Sequence, residues 1–338
     1  MSYRVRAARG EDFRALYQMA KLTGGGFTNL PADRATLVEK LALSDRSFAR
    51  KGDEQAGDLY LFVLEDPKTG DIRGTCQVFG QVGVLQPFYS YHLSTFTQSS
   101  PELGKTFRNQ MLSLTTDLEG SSEVGGLFLH PELRSGGWGG LLARSRYLFI
   151  KQHRARFGDR TLAELRGVMD DAGNAPFWDA LAGRFFDMTF PEADHFNAMH
   201  GTKFIADLMP RTPIYVALLP EAAKPVMGQP HPRGRAALRM LEEEGFVFDR
   251  YIDIFDGGPT VTARTDRIRT VREAAEEIVA EIGEGGKHKM LMATGNLKEF
   301  VACCASVGRV PRKGLSIDAN AAELLGVKTG DRVLAVSR

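Results

Sequence analysis

Cysteine is scarce in this sequence of 338 residues. The three cysteines are Cys76, Cys303 and Cys304, one isolated residue and one adjacent pair. That spacing provides neither a disulfide framework nor a cysteine-based metal site. We therefore expect all three to be reduced side chains in or near the core, and we expect no bound metal.

Long apolar runs and an excess of charge of one sign are also missing. No apolar run reaches the roughly 18 residues of a membrane span, and the first residues lack the apolar region of a signal peptide, so we expect a cytoplasmic protein. Lys and Arg number 43 against 42 for Asp and Glu. This balance argues against a general binder of nucleic acid or membrane surfaces.

Two familiar glycine-rich phosphate loops are absent. The sequence has no Gly-x-x-x-x-Gly-Lys-Ser/Thr, and no Gly-x-Gly-x-x-Gly opens a first βαβ unit. A different glycine pattern is present, Arg134-x-x-Gly137-x-Gly139. The apolar segment before it, Val124–Leu129, predicts a strand, and the apolar residues at helical spacing after it, from Leu141, predict a helix. Such a turn exposes backbone N–H groups at the positive end of a helix, which favours an anion site. The alternative is an ordinary solvent-exposed glycine turn.

This strand–turn–helix unit resembles the coenzyme A pyrophosphate loop of the GCN5-related N-acyltransferases, the GNAT superfamily. The resemblance implies that Arg134, Gly137 and Gly139 bind the diphosphate of an acyl-CoA. The predicted order of elements along the chain is also similar to the core of that superfamily. We therefore predict an α+β fold, with a GNAT-like mixed central sheet flanked by helices.

The predicted elements divide the chain into two parts. Residues 1–260 are expected to form the acyltransferase domain, with an insertion at about 85–120 and an extension at about 190–260. Residues 261–338 are expected to form a linker that carries a charged helix, followed by a small β-rich C-terminal appendage. Within the first part, a single helix is predicted from Phe177 to Phe186, with Trp178, Leu181 and Phe185 on one face.

Longer segments of the sequence indicate one family within this superfamily. They look like segments of the arginine N-succinyltransferase family, and they occur in the same order along the chain. They are Leu22–Pro31, Pro87–Tyr91, Asp117–Glu123, Leu127–Pro131, Arg166–Val168, Pro176–Trp178, Phe204–Pro210, Gly228–Pro232 and Tyr251–Pro259. The resemblance implies transfer of the succinyl group of succinyl-CoA to the α-amino group of L-arginine, in arginine catabolism. It also implies that succinyl-CoA is a co-substrate and that no cofactor is permanently bound.

Two residues acquire roles from this resemblance. The main chain of Leu127 is implied to bind succinyl-CoA, and His231, in Gly-Gln-Pro-His-Pro, is implied to be the catalytic proton donor. The residues themselves are compatible with these roles. Glycines inside a strand, here Gly125 and Gly126, predict a β-bulge that leaves a backbone N–H free, and an imidazole exchanges protons near neutral pH. Without the resemblance, Leu127 would be interpreted as a core residue and His231 as a surface histidine.

The sequence does not identify which residues bind the guanidinium group of the substrate. Carboxylates are the expected partners, and five are possible, although solvated surface acids are the default interpretation. They are Asp117, Glu119, Glu123, Asp253 and Asp256. The other histidines have no triad or metal spacing and are interpreted as structural or surface residues.

Two alternatives remain at this stage. One is a GNAT acyltransferase that uses another acyl-CoA or another amine, such as ornithine. The other is a CoA-sensing or weakly active subunit that pairs with an active relative. In every case small molecules are the expected ligands, with no nucleic acid and no membrane, and we expect a homo-oligomer or a hetero-oligomer with a related subunit.

Overall fold

The structure is a computed structural model that describes residues 2–23, 29–134, 136–170 and 172–338, without the side chains of residues 198–200. Most of the glycine loop predicted between the first two helices, and Ser135 in the predicted anion loop, lie outside the described residues.

Strands and helices both contribute strongly, as the predicted α+β class requires. In chain order the strands are β1 (Arg4–Ala7), β2 (Leu59–Asp66), β3 (Asp71–Phe79), β4 (Ser90–Ser100), β5 (Lys105–Thr115), β6 (Ser122–Leu129), β7 (Arg160–Glu164), β8 (Ile214–Tyr215), β9 (Val247–Ile252), β10 (Pro259–Arg264), β11 (Ala275–Gly283), β12 (His288–Thr294), β13 (Val301–Val310), β14 (Gly314–Asp318) and β15 (Arg332–Ser337). The helices are α1 (Phe13–Leu22), α2 (Arg34–Ala49), α3 (Trp138–Gln152), α4 (Pro176–Ala180), α5 (Gly183–Phe186), α6 (Phe190–His200), α7 (Lys203–Leu208), α8 (Arg235–Glu243), α9 (Arg269–Glu273) and α10 (Ala319–Leu325). None of the described helices is both long enough and apolar enough to span a membrane.

The chain forms two compact units, each assembled from separated stretches of sequence. The first unit contains Met1–Gly80, Ser122–Asp159 and Arg264–Arg338, and the second contains Gln81–Ser121 and Arg160–Ala263. These limits differ from the sequence-based division into 1–260 and 261–338. The difference arises because the chain leaves the first unit after β3, returns with β6 and α3, leaves again, and returns with the C-terminal strands.

The first unit is built on antiparallel pairing of β13 with β1, β1 with β2, β2 with β3, and β3 with β6. Helices α1 and α2 cover one side through a cluster that includes Leu16, Leu37 and Val63. Helix α3 buries the apolar face that its spacing predicted, since Leu141, Leu142, Leu148 and Phe149 are at most 1% exposed.

The C-terminal strands close on themselves, because β13 pairs with β12 and β14, and β11 pairs with β14 and β15, which in turn pairs with β12. The first residues of β13 also pair with β1. The predicted appendage is therefore continuous with the N-terminal sheet. The charged helix predicted in the linker corresponds to the short α9, whereas residues 275–283 form strand β11, which pairs with β14 and β15.

The second unit has its own core and its own antiparallel pairings, β10 with β9, β9 with β4, β4 with β5, and β5 with β8. The predicted insertion at 85–120 is largely the long β4–β5 hairpin. The single helix predicted for 177–186 is wrong: α4 and α5 are two short helices, and Phe185 is 48% exposed whereas Trp178 and Leu181 are buried. Leu181, between the helices, has non-helical backbone angles (φ −123°, ψ −90°), which rotates Phe185 away from the core face.

Candidate functional site

Strand β6 contains the bulge that its glycines predicted. Gln77 of β3 lies opposite Gly125 and Thr75 lies opposite Phe128, so that Gly126 and Leu127 together face the single residue Cys76. Gly126 has a φ of 59°, a left-handed conformation that glycine adopts without steric cost. The extra residue of a bulge is left out of the ladder, which places the main chain of Leu127 at an interruption of the sheet.

The bulge glycines also leave room for polar side chains. A Cβ atom at Gly126 would lie 2.9 Å from Cγ of Gln77, and one at Gly125 would lie 2.8 Å from Nδ2 of Asn29. The side chain of Leu127 itself is only half-buried, so it is not the core residue that the pattern alone suggested. The role that the family resemblance implies for this position concerns its backbone.

The predicted anion loop follows β6 directly. A 3₁₀ turn, Pro131–Leu133, leads to Arg134, which is exposed and whose Nε donates to the carbonyl of Leu129 at 3.4 Å. Gly137 has a φ of 76° and is the N-cap of α3. A Cβ atom at Gly139 would have no neighbour nearer than Leu129 Cδ2 at 3.8 Å, so the space outside the first turn is open. The first backbone N–H groups of a helix of 15 residues therefore border this space.

A second arginine lies at this loop, and no pattern in the sequence indicated it. The guanidinium of Arg338 lies directly against the position that a side chain of Gly137 would occupy. The residue is far away along the chain, and the pairing of β15 with β12 carries it there. Only the tertiary structure reveals that two arginines border the start of α3.

His231 lies in the second unit and is fixed through its backbone. Its N–H donates to the carbonyl of Arg166 at 2.7 Å, and the neighbouring Pro230 forms a β-bridge with Gly167. In the ring, Nδ1 accepts a hydrogen bond from the backbone N–H of Arg233 at 3.2 Å. Partial burial and the charges of Arg166 and Arg233 lower the pKa of His231, so that the neutral ring is favoured at pH 7. Nε2 is then the ring nitrogen available to a substrate.

Two of the candidate guanidinium ligands instead support the His231 loop. The carboxylate of Asp256 is buried and accepts hydrogen bonds from the N–H groups of Gly167, at 2.7 Å, and Gly258, at 2.8 Å. Asp253 Oδ1 accepts from the N–H groups of Phe255 and Asp256. Burial raises the pKa of both carboxyl groups, and the negative charge of Asp253 raises that of Asp256 further. These acids hold the turn at 253–258 against Gly167, beside the residue that holds His231.

The remaining candidate acids differ in their surroundings. Asp117 is exposed and accepts from the Tyr251 hydroxyl at 3.2 Å, and Glu119 is exposed and accepts from the N–H of Phe88 at 3.1 Å. Glu123 is 7% exposed and lies in a polar cluster with Asn29, Lys40 and Gln77. Sequence reasoning missed Lys40 and Gln77, because a lysine on a helix and a glutamine on a strand carry no pattern of their own. Within the part of the chain that is described, no cluster of three or more His, Cys, Asp or Glu side chains is arranged to hold a metal.

The structure thus places Leu127, Arg134, Gly137 and Gly139 on one continuous strand–turn–helix segment of the first unit. His231 lies in the second unit. The three cysteines are free; Cys76 and Cys303 are buried and Cys304 is partly buried, as predicted.

Known proteins resemble the chain over nearly its whole length. A family model described as the arginine N-succinyltransferase beta subunit matches residues 3–270, and the model of its C-terminal domain matches residues 267–337. Arginine N-succinyltransferase subunit beta of Pseudomonas aeruginosa is 38% identical over 333 residues, which cover 98% of this chain and 97% of the relative. Arginine N-succinyltransferase of Escherichia coli is 39% identical over 336 residues, covering 98% and 96% of the two chains.

A solved structure agrees with these matches. The arginine/ornithine succinyltransferase subunit AI from Pseudomonas aeruginosa superposes with a TM-score of 0.89 at 35% identity, covering 99% of this chain and 98% of that chain. The matching segments include the bulged strand, the glycine turn and the His231 loop. The chain belongs to the arginine N-succinyltransferase family.

Proposed function

We propose that this acyltransferase transfers the succinyl group of succinyl-CoA to the α-amino group of L-arginine, releasing free CoA and N2-succinyl-L-arginine. The observation that carries the proposal is the family match along almost the whole chain, which includes both the β6–α3 segment and the His231 loop. The arrangement of the core is proposed to be of the GNAT type. The bulge at Gly126 and the glycine turn before α3 support that proposal.

Binding of the acyl-CoA is assigned to the β6–α3 segment. The diphosphate would accept hydrogen bonds from the N–H groups at the start of α3, beside Gly137 and Gly139, and would pair with the planar guanidinium of Arg134. The thioester carbonyl would accept a hydrogen bond from the main-chain N–H of Leu127 at the bulge. One such donor, aimed at the developing oxyanion, typically stabilises a transition state by about 3–4 kcal/mol.

Proton transfer at the leaving group is assigned to His231. The reaction forms a C–N bond and breaks the C–S bond, and the thiolate that leaves must take up a proton. The Arg233 N–H occupies Nδ1, so Nε2 would make this transfer. The lowered pKa of His231 keeps the ring largely neutral, with its proton on Nε2 because Nδ1 accepts from the Arg233 N–H. Nε2 would give this proton to the sulfur and take up the proton that the attacking nitrogen loses, which restores the neutral ring.

The subunit composition is also a proposal. The matching family model and the Pseudomonas relative are both described as a beta subunit. We propose that the chain associates with a second copy or with a related subunit. Size-exclusion chromatography with light scattering on the pure chain would distinguish a homo-oligomer from a monomer that needs a partner.

The proposed reaction is tested by measuring CoA release by the pure protein over a matrix of acyl-CoAs and basic amino acids. We expect succinyl-CoA to be used only when L-arginine or a close analogue is present. Ornithine is included because the solved relative is an arginine/ornithine succinyltransferase subunit, and acetyl-CoA tests the acyl preference. Equal turnover with acetyl-CoA, or no turnover with arginine, would overturn the assignment.

A further inference from the structure

Beside the β6 bulge, four polar side chains of the first unit form a connected cluster. Gln77 Nε2 donates to Asn29 Oδ1 at 2.6 Å, and Asn29 Nδ2 donates to Glu123 Oε1 at 3.4 Å. Lys40 Nζ donates to the backbone carbonyl of Asn29 at 2.5 Å and lies over the ring of Phe79, 5.8 Å from its centroid. The absence of side chains at Gly125 and Gly126 makes room for this cluster, because a Cβ atom at either position would collide with Asn29 or Gln77.

The cluster is buried but incompletely satisfied. Gln77 is 0% exposed, yet its Oε1 accepts no hydrogen bond from the described residues. A buried polar atom without a partner destabilises the fold, and a bound donor would remove that cost. Glu123, 7% exposed, is the second acceptor at the same place. Two acceptors, one of them unsatisfied and one acidic, suit a ligand that donates several hydrogen bonds and carries positive charge.

The position of the cluster identifies which part of the substrate it suits. The bulge is where the thioester carbonyl is proposed to bind, so a group recognised beside it must be the reacting α-amino group. The guanidinium of arginine is separated from that nitrogen by a chain of four carbon atoms and belongs farther away. Among the described residues, Lys40 of α2 is the charged group that acts on Glu123, and the neighbouring strand β3 contributes the neutral Gln77.

Resting on the function proposed above, we infer that Glu123 and Gln77 Oε1 hold the α-amino group of the acceptor substrate and that Glu123 accepts its first proton. The ammonium gives one proton to the Glu123 carboxylate, and the neutral nitrogen attacks the thioester carbon. The C–S bond breaks, the departing thiolate takes the proton of His231 Nε2, and the second proton of the nitrogen replaces it, which restores the neutral ring. Glu123 then returns its proton to solvent when the products leave.

The electrostatics of Glu123 suit a proton acceptor. Burial raises its pKa, while the hydrogen bond from Asn29 and the charge of Lys40 oppose that increase. Burial in turn lowers the pKa of Lys40 to about 8. A buried carboxylate beside this lysine is therefore a better proton acceptor than a solvated one, and it stays close to an amine that must lose a proton.

The test compares Glu123→Gln, Glu123→Asp and Gln77→Leu with the wild type. Kinetics are measured with succinyl-CoA and arginine from about pH 6 to about pH 9.5, a range that spans the titration of the substrate amine. At neutral pH we expect Glu123→Gln to lower kcat/KM for arginine by about 10²–10⁴, with the KM for succinyl-CoA little changed. The deficit should shrink at high pH, where free arginine already carries a neutral amine. Glu123→Asp should recover part of the rate, and Gln77→Leu should raise the KM for arginine.

Glu39→Gln is the matched control, because Glu39 is exposed on α2 next to Lys40. It should behave as the wild type. A Glu123→Gln enzyme with wild-type kcat and pH profile would overturn the inference, and so would a change confined to the KM for arginine, which would assign the cluster to the guanidinium. A fall in melting temperature with a uniform loss at every pH would assign it a structural role and overturn the inference as well. A wild-type enzyme without arginine-dependent turnover would instead refute the proposed function, so the two failures are distinguishable.

Discussion

At the scale of single residues, the proposed roles belong to backbone groups and to one histidine held by backbone contacts. His231 is fixed by hydrogen bonds through its own N–H and through Nδ1, and neither contact depends on its neighbouring side chains. The loop that carries it is braced by Asp256 through Gly167. A side-chain replacement at His231 removes the Nδ1 contact but keeps the backbone contact with Arg166, so we expect it to remove chemistry and to leave most of the local structure in place.

Replacing His231 by Ala should lower kcat by about 10²–10⁴, the range expected for loss of a general acid or base, while acyl-CoA binding is largely kept. Kinetics combined with calorimetric titration of CoA would measure both effects. His288→Ala, on the exposed face of β12, is the control. Because the pKa of His231 is lowered, the acid limb that it contributes to kcat/KM should lie below the usual histidine pKa of about 6.5. A loss smaller than tenfold would assign proton transfer to water or to another side chain.

Substitutions in the glycine turn should act on acyl-CoA and spare arginine. Arg134→Ala removes a charge-assisted contact to phosphate, commonly about 1.5–3 kcal/mol, and should raise the KM for succinyl-CoA at least tenfold. Gly139→Asp should have a similar or larger effect, because it places negative charge beside the diphosphate. The space at Gly139 is open, so Gly139→Asn controls for bulk without charge. If all three variants bind acyl-CoA as the wild type does, the diphosphate binds elsewhere.

At the scale of elements, one irregular strand organises the residues of the first unit to which acyl-CoA binding is assigned. The two-against-one pairing of β6 with β3 turns Leu127 out of the regular ladder and makes room for Gln77. Helix α3 supports the same strand from another direction, since Arg146 Nη1 donates to the carbonyl of Gly125 at 3.2 Å. The bulge is thus fixed by neighbours on β3 and α3.

Gly126→Ala should destabilise the protein by about 1–2 kcal/mol, the usual cost of forcing a residue with a Cβ atom into the left-handed region. A further loss is expected because the new Cβ would lie 2.9 Å from the buried side chain of Gln77. Urea unfolding would measure the change. Gly10→Ala is the control, because nothing lies within 4 Å of its Cβ position. Equal stability of the two variants would mean that the bulge can relax without cost.

At the scale of the whole molecule, the C-terminal strands are part of the first unit. Strand β13 joins β1 to the closed C-terminal sheet, and the backbone N–H of Leu297 donates to Nε2 of His153, at the end of α3, at 3.3 Å. Partial burial and the charge of Arg156 lower the pKa of His153 to about 4. The contact with the C-terminal segment therefore uses the neutral imidazole.

This histidine predicts acid sensitivity. Its folded-state pKa lies below the unfolded value, so the stabilisation is complete above about pH 6.5 and is lost as pH falls towards about 4. After allowance for solvent screening of a partly exposed group, the loss should be on the order of 1–2 kcal/mol. We expect His153→Gln, which has no charged form, to flatten the pH dependence of unfolding between about pH 4 and 6.5. The exposed His288→Gln should leave the wild-type slope unchanged, and an identical slope in His153→Gln would contradict the prediction.

Some features were determined by the sequence alone because their signals are local. The apolar periodicity of α3, the glycines of β6 and the Arg134–Gly139 turn each constrain a few neighbouring residues, and the predicted strand, bulge and helix are confirmed. The family also follows from linear segments. The roles of Leu127, Arg134, Gly137, Gly139 and His231 stay predictions.

Other features were decided only by the tertiary structure, because their partners are distant along the chain. The assignment of the C-terminal strands to the first unit depends on β13 pairing with β1, and hydrogen bonding between strands leaves no mark in local composition. The polar cluster joins Asn29, Lys40, Gln77 and Glu123, and each residue alone resembles an ordinary surface position. Asp256 likewise changes from a possible substrate ligand to a buried support of the His231 loop, because packing withdraws its carboxylate from water and supplies two backbone donors.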